Sequence, residues 1–166
     1  MSLDAIKPEK IEKRFKSFFF GGPGTGKTLT AISFPNPYVI DTERGCENTQ
    51  YVEKLNETGG ALLQTLDFTQ IMDNIKSLMS EKHSFKTLVI DSLSYLYSSL
   101  VSKYEKNPSI PGGQHGFLNY YRLASRDIKS GLIPEVLKLD MNVIIIAHVK
   151  KKEEEDSKGK IIRSEL

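Results

Sequence analysis

The sequence of 166 residues predicts an α/β fold in three layers, with helices on both faces of a mainly parallel central sheet. Two observations favour this fold. Short apolar runs bounded by polar or turn-forming residues are typical of buried strands, and they alternate with stretches whose apolar residues recur at helical spacing. The first two predicted strands are joined through a helix, which is the connection that a parallel pair requires. In a parallel sheet the strands end at one edge, so polar residues that follow them converge there.

The elements follow from local patterns along the chain. Strands are expected at residues 15–20, 38–41, 61–66, 85–91 and 142–147, and helices at 27–32, 46–58, 68–79, 93–106 and from 117 to near 140. The first helix ends at Phe34-Pro35-Asn36-Pro37, because two prolines restrict the residues before them, and Tyr38 then begins a buried strand. Gly59-Gly60 separates the second helix from the short third strand.

The second half of the chain repeats this alternation. Apolar residues recur every three or four positions within 68–79 and again within 93–104, which predicts two amphipathic packing helices. Segment 107–116 contains two prolines and three glycines and is expected to be a flexible surface loop. The helix that follows is expected to kink or split at 131–134. The uninterrupted apolar run 142–147 is typical of an interior parallel strand.

Length and composition narrow the class of protein. We expect residues 14–166 to form one domain after a charged lead-in at 1–13, since a chain of this size fits a single core. With 39% hydrophobic and 27% charged residues, the chain is typical of a soluble globular protein. Its net charge of +2 gives no overall basic field for nucleic acid. No apolar run approaches the roughly 20 residues of a membrane span, and the single Cys46 fits a packing residue in a reducing compartment, so a cytoplasmic protein is expected.

A glycine-rich segment joins the first strand to the first helix. Residues 21–28, GGPGTGKT, match G-x-x-x-x-G-K-[ST], the P-loop in which backbone N–H groups wrap the phosphates of a nucleotide. The glycines leave no Cβ between those groups and the anion. Lys27 adds a positive charge at the reacting phosphates, which makes it a candidate catalytic residue. The residues expected to bind ATP are Gly21, Gly22, Pro23, Gly24, Thr25, Gly26, Lys27, Thr28 and Leu29.

Asp91 ends the apolar run 88–90, at the edge where the P-loop is expected. A carboxylate at this position can hold Mg²⁺ together with the hydroxyl of Thr28. The alternative is that Asp91 caps the helix that follows, although Ser92 could equally take that role. Thr28 and Asp91 are therefore the predicted metal residues.

Two further strand ends carry candidate catalytic residues. Asp41-Thr42-Glu43 follows the second strand, where Glu43 could orient and deprotonate the water that attacks the γ-phosphate. A glutamate directly after Asp91 could also have served as the catalytic base, but Ser92 occupies that position. The absence of a glutamate there favours Glu43 as the base. His148 follows the last predicted strand and could hydrogen-bond the γ-phosphate and relay its presence. The alternatives are an exposed loop carboxylate and a structural histidine.

Four segments together resemble a known family: FFFGGPGTGKT, the strand ending in DTE, LVIDS, and the strand ending in AH. They are similar to the RecA-like core of P-loop NTPases, and particularly to small phage-encoded ATPases linked to single-strand annealing and recombination. The resemblance covers residues 15–150. It implies that Glu43 is the catalytic carboxylate, that Asp91 is associated with Mg²⁺, and that His148 replaces the amide sensor of other recombinases.

The resemblance implies a Mg²⁺-dependent ATPase that acts on single-stranded DNA as a homo-oligomer, in the host cytoplasm if the chain is phage-encoded. Such cores usually continue with further strands, so a C-terminally truncated core is expected. Candidate DNA contacts are the basic stretches 150–152 and 158–163, for which a solvated charged hairpin is the alternative, and the loop 107–116 with Gln114 or His115. An arginine finger is not evident within the chain, and Lys160 or Arg163 could supply that charge across an interface.

Two other functions stay open on the sequence. A small-molecule P-loop kinase would share the P-loop, but it would need an arginine-rich lid, and only Arg122 and Arg126 form a close arginine pair. The second function is that of a non-hydrolysing module. In such a module, ATP switches the segment around His148 to recruit a partner. The preference between ATP and GTP is not decided by any motif in the chain.

Overall fold

The structure is a computed structural model that describes residues 14–110, 114–149, 152–155 and 161–165. Its strands are β1 (Lys16–Gly21), β2 (Pro37–Asp41), β3 (Ala61–Gln64), β4 (Thr87–Asp91), β5 (Asn142–His148), β6 (Lys152–Glu155) and β7 (Ile161–Glu165). Its α-helices are α1 (Lys27–Ile32), α2 (Thr49–Thr58), α3 (Phe68–Ser80), α4 (Leu93–Glu105), α5 (Gln114–Arg126) and α6 (Ile133–Lys138). A short 3₁₀ helix (Gly45–Glu47) precedes α2, and a π-helical segment (Asp127–Leu132) joins α5 to α6.

The main sheet contains β1, β5, β4, β2 and β3 side by side in that order, and every neighbouring pair is parallel. This arrangement confirms the predicted α/β fold and its parallel sheet. β5 lies between β1 and β4, as expected of an interior strand. The register sets Gly21 opposite His148 and Asp41 opposite Asp91. The carboxyl ends of β1, β5, β4 and β2 therefore meet at one edge.

Apolar side chains pack on both faces of this sheet. One cluster joins α3, α4, α5 and α6 to one face and includes Ile90, while the other joins α1 and α2 to the opposite face and includes Val89. Neighbouring residues of β4 point to opposite faces because side chains alternate along a strand. Cys46 is buried in the second cluster, and burial raises the pKa of its thiol. Helices thus cover both faces, which gives the predicted three layers.

The helix expected over 46–58 is divided in the structure. Asn48 has an extended backbone with φ −64° and ψ 135°, and its side chain accepts a hydrogen bond from the N–H of Gln50. An asparagine in this conformation is a helix cap, so it separates the 3₁₀ helix from α2. β3 is also shorter than expected, because the side chain of Thr65 accepts from the N–H of Asp67 and begins the turn into α3.

The helix expected from residue 117 differs from the prediction at its start and its middle. α5 begins at Gln114, so the expected loop 107–116 extends too far at its C-terminal end. The chain stays helical through 131–134, where the π-helical segment is followed by α6, so the helix does not split there; the alternative of a kink stays a prediction. Pro134 falls in the first turn of α6, directly after the π-helical segment.

β6 and β7 form an antiparallel hairpin in which Glu154 lies opposite Arg163. A charged hairpin was the alternative to DNA binding for the basic stretches 150–152 and 158–163, and the backbone pairing agrees with a hairpin. The lead-in 1–13, the lysines at 150 and 151, and residues 156–160 lie outside the described part of the chain. Across the described helices, none combines the length and the apolar character needed to cross a membrane.

The strand that leads into the P-loop lies at the border of the sheet. Among the described residues, β1 pairs with β5 and has no strand on its other side. Phe18 and Phe20 on β1 are 50% and 71% exposed, and their ring centroids are 6.3 Å apart. β1 therefore presents both an unpaired backbone edge and two exposed aromatic rings.

Gly60 provides a test of the packing between α2 and β2. A Cβ atom at this position would lie 2.7 Å from Cδ2 of Leu55 and 2.9 Å from Cγ of Pro37. We expect Gly60→Ala to lower the free energy of unfolding by about 1–3 kcal/mol, as overpacked substitutions do, measured by urea denaturation. The control is Gly131→Ala, because its Cβ would make an ordinary contact of 3.6 Å with Phe68. Equal stability of the two variants would contradict this packing.

Candidate nucleotide-binding site

The P-loop lies between the end of β1 and the start of α1. Gly24 and Gly26 adopt φ of 74° and 80°, the left-handed region in which a Cβ atom is strained. A Cβ atom built on Gly22, Gly24 or Gly26 would meet nothing within 4 Å. At these three glycines the loop is therefore not packed against other atoms, and its backbone can approach a ligand closely.

Lys27 lies at the mouth of this loop. Its Nζ donates hydrogen bonds to the carbonyl oxygens of Gly22 at 2.7 Å and Gly21 at 3.1 Å. These contacts hold the ammonium group over the beginning of the loop. A positive charge so placed can attract the phosphates of a nucleotide, which is the role predicted for this lysine.

Thr28 and Asp91 meet at the base of the site. Oγ1 of Thr28 donates a hydrogen bond of 2.6 Å to Oδ2 of Asp91, and Asp91 is only 6% exposed. Burial raises the pKa of the Asp91 carboxyl above its usual range, the hydrogen bond from Thr28 opposes this rise, and the charges of Glu43 and Asp41 add to it. The fold thus keeps a carboxylate where its negative charge is disfavoured without a cation.

The end of β4 is tied to the end of β2 through Ser92 and Thr42. The N–H of Ser92 donates to Oγ1 of Thr42 at 2.8 Å, and that hydroxyl donates to the carbonyl oxygen of Ser92 at 2.8 Å. The hydroxyl of Ser92 accepts from the N–H of Tyr95 and caps α4. Of the two residues that could cap this helix, Ser92 does so, which leaves the carboxylate of Asp91 facing Thr28.

Glu43 and His148 form a direct contact beside the P-loop. Nε2 of His148 lies 2.6 Å from Oε1 of Glu43, and both side chains are partly exposed. The backbone N–H of His148 donates to Oγ of Ser94 at 3.0 Å, and the Tyr95 ring packs edge-on against the imidazole with centroids 6.3 Å apart. The first turn of α4 therefore fixes where His148 can lie.

These residues line one cavity of about 290 Å³. Its wall contains most of the P-loop together with the strand-end side chains, and the members are Pro23, Gly24, Thr25, Gly26, Lys27, Thr28, Asp41, Glu43, Gly45, Tyr51, Asp91 and His148. The cavity thus combines a phosphate-binding loop with carboxylates and an imidazole, the groups that phosphoryl transfer from a nucleotide requires.

The sequence matches a family model described as an AAA domain over residues 13–166. The chain belongs to this AAA domain family. It is a P-loop ATPase domain of the AAA type, which confirms the coarser part of the resemblance drawn from its motifs.

Among solved structures, the AAA domain is similar to a prototypical ATPase from the type III secretion system of pathogenic bacteria. The TM-score is 0.52 at 14% sequence identity, and the match covers 96% of this chain and 57% of that chain. This chain therefore spans little more than half the length of that structure, and the similarity establishes the fold alone. No curated protein matches the chain in sequence.

The AAA domain brings every residue expected for catalysis or metal binding to one cavity, where Lys27, Thr28, Glu43, Asp91 and His148 lie together. Of the nine residues expected to bind ATP, Gly21, Gly22 and Leu29 are not among those that line it. Their roles, like those of the others, stay predictions.

Sequence reasoning missed the part that Asp41 plays in shaping this site. Its carboxylate accepts hydrogen bonds from the backbone N–H groups of Glu43 at 3.0 Å, Gly45 at 3.3 Å and Cys46 at 2.9 Å. Asp41 is 1% exposed, and this wrapping sets the path of the loop that carries Glu43. The available signal was an aspartate followed by a short polar stretch containing glycine, which favours a turn closed by the aspartate side chain.

Asp91→Asn should change how the stability of the metal-free AAA domain depends on pH. Because the pKa of Asp91 is raised in the folded state, stability is lost as pH rises from the ordinary carboxyl range through that raised pKa. The variant lacks this loss. Its melting temperature relative to wild type should therefore increase as pH rises from about 4 to about 8, measured by circular dichroism in the presence of a chelator.

Asp140→Asn is the control for this experiment. The hydrogen bond from Arg14 lowers the pKa of Asp140, so the stability that this carboxylate contributes changes mainly below about pH 4, and the melting-temperature difference for this variant should stay nearly flat from about pH 4 to about pH 8. If the melting-temperature difference for Asp91→Asn stays flat or falls with rising pH, the charged carboxylate of Asp91 does not destabilise the folded state, and the prediction is wrong.

Proposed function

We propose that this AAA domain hydrolyses ATP with Mg²⁺ at the cavity between the P-loop and the ends of β2, β4 and β5, and that it acts on single-stranded DNA in annealing or recombination. The observation that carries the catalytic part is the contact of 2.6 Å between Glu43 and His148 on the wall of that cavity. This contact supports a pair of residues that act together, with Glu43 as the base and His148 as the sensor.

Glu43 has the chemistry of the general base. A carboxylate can accept a proton from water as the water oxygen attacks the γ-phosphorus and the bond to the β,γ-bridging oxygen breaks, which releases ADP and phosphate. Asp41 holds the backbone N–H of Glu43 and thereby restricts where its side chain can reach. Lys27 and the P-loop N–H groups would stabilise the negative charge that develops on the phosphate oxygens.

The residues at the base of the cavity fit a magnesium ion. Thr28 offers a hydroxyl and Asp91 a carboxylate whose oxygens are 2.6 Å apart, and hard oxygen donors are the ligands that Mg²⁺ prefers. When bound with the nucleotide, Mg²⁺ would neutralise phosphate charge. The raised pKa of Asp91 supports this fit, because burial and the charges of Glu43 and Asp41 disfavour the charged carboxylate and a bound cation would offset them.

His148 would act as the sensor through its contact with Glu43. The γ-phosphate offers oxygen acceptors that compete with Oε1 of Glu43 for the imidazole, so ATP binding would release Glu43 for its role as base. Ser94, which accepts from the backbone N–H of His148, and Tyr95, which packs against its ring, would limit the movement of His148 during this exchange. The same contact also supports the non-hydrolysing module, in which release of His148 signals to the segment after β5 and no hydrolysis follows.

The DNA and oligomer parts of the proposal rest on the sequence motifs and on the position of His148. In the order of the chain, β5 and His148 are followed by the β6–β7 hairpin, which contains Lys152 and Arg163. Arg163 is retained as a candidate for a charge supplied to a neighbouring copy. For the kinase alternative, Arg122 and Arg126 lie on α5 and are not among the residues that line the nucleotide cavity.

Glu43→Gln tests the catalytic assignment. We expect kcat for ATP hydrolysis to fall by a factor of about 10² to 10⁴, the usual contribution of a general base, while the Kd of a fluorescent ATP analogue stays unchanged. Glu47→Gln is the matched control, because Glu47 lies in the same loop and contacts Gln64 instead. Unchanged turnover in Glu43→Gln would rule Glu43 out as the base, and a wild type that binds ATP without turnover would favour the switched module.

Single-stranded DNA should raise the rate of ATP hydrolysis by the full-length protein. The expected cause is that DNA bound near the segment after β5 shifts His148 and thereby Glu43. The rate would be measured from zero to saturating oligonucleotide, with a duplex of the same length as the control. A rate that stays flat would remove the DNA part of the proposal and leave the ATPase part standing.

A further inference from the structure

Three potential metal ligands converge at the ends of three different strands. One ligand atom from each of Glu43, Asp91 and His148 lies within 4.8 Å of the other two. They follow or end β2, β4 and β5, whose pairing fixes their spacing. The cluster therefore consists of two carboxylates and one imidazole held by the framework of the sheet.

The charge around this cluster favours a cation. The carboxylate of Asp41 lies close enough to act on Asp91 along with Glu43. Lys27 is engaged by carbonyl oxygens of the P-loop, and it is not an ion-pair partner of any of these acids in the described part of the chain. An added divalent ion would relieve the repulsion between neighbouring carboxylates.

The donor set also indicates the class of ion. Hard oxygen ligands suit Mg²⁺, whereas a set that includes an imidazole suits Zn²⁺, Co²⁺ and related transition metals. Such ions lie about 2.0–2.2 Å from nitrogen and oxygen ligands, so the donor atoms must surround one point with small side-chain rotations. The contact of 2.6 Å between Glu43 and His148 has to open to admit the ion, and ligand atoms that lie farther apart, up to 4.8 Å, have to close around it.

Groups outside the cluster hold its ligands in place. Thr28 donates to one oxygen of Asp91, and Asp41 fixes the backbone at Glu43. Ser94 and Tyr95 hold His148 from the first turn of α4. Supporting contacts of this kind orient metal ligands and raise affinity in proteins that bind transition metals.

We propose that Glu43, Asp91 and His148 form a transition-metal site that takes an ion such as Zn²⁺ or Co²⁺ when no nucleotide is bound. It differs from the site for Mg²⁺ by its imidazole ligand and by its independence of phosphate. An ion there would occupy Glu43 and His148 together, so it would inhibit hydrolysis in proportion to its occupancy. Metal binding itself does not depend on the proposed hydrolysis.

The test is a titration of the untagged, nucleotide-free protein with Co²⁺, followed by the visible absorption of the bound ion and by its displacement with Zn²⁺. Three single variants compare the three histidines of the chain: His148→Gln, His83→Gln and His115→Gln. We expect His148→Gln to weaken Co²⁺ binding at least about tenfold and the other two to bind as wild type does. Millimolar Mg²⁺ should not displace Co²⁺ from the wild type.

Glu43→Gln is a second variant that should weaken the same binding, and circular dichroism of each variant checks that the fold is retained. Binding by a folded His148→Gln variant with wild-type affinity would overturn the proposal, as would loss of binding in His83→Gln or His115→Gln alone. Ready displacement by Mg²⁺ would also overturn it. Because no nucleotide is present, these outcomes are separate from any failure of ATP turnover.

Discussion

The parallel register of β1, β5, β4 and β2 is the constraint on which the site depends. Backbone pairing sets Gly21 beside His148 and Asp41 beside Asp91. Asp91 in turn pairs with Ile146, so the four strand ends lie at one edge within two residues of each other. No single strand carries a complete site. The P-loop supplies the phosphate contacts, and the other strands supply the acids and the imidazole, at distances that the sheet fixes before any ligand arrives.

Features that depend on residues close together in the sequence could be predicted from it. The P-loop, the apolar runs and the helical stripes each lie within one segment, and a parallel sheet then requires Glu43, Asp91 and His148 to converge. What the sequence did not reveal depends on contacts between segments. The reciprocal hydrogen bonds of Thr42 and Ser92 join residues fifty positions apart, and nothing local marks them. The π-helical segment was missed for a related reason. Considered by their local sequence, Gly131 and Pro134 are helix-breaking residues, whereas in the fold the chain stays helical at both.

The site is also where the fold departs from what stability alone would favour. Asp91 keeps a carboxylate in a place where burial raises its pKa and disfavours the charged form. Structures commonly accept such a cost at functional positions. The surrounding network limits it, because Thr28 donates to Asp91 and the three N–H groups around Asp41 satisfy the neighbouring carboxylate.

The position of β1 at the border of the sheet has a consequence for association. An unpaired strand edge is a template for adding another strand, and exposed rings such as those of Phe18 and Phe20 increase the apolar area that addition would bury. The same strand carries the P-loop at its end. Strand addition and nucleotide binding therefore act on one element, and thermodynamic linkage requires that any effect of one on the other be reciprocal. If assembly through this edge alters nucleotide affinity, nucleotide must alter that assembly by the same free energy.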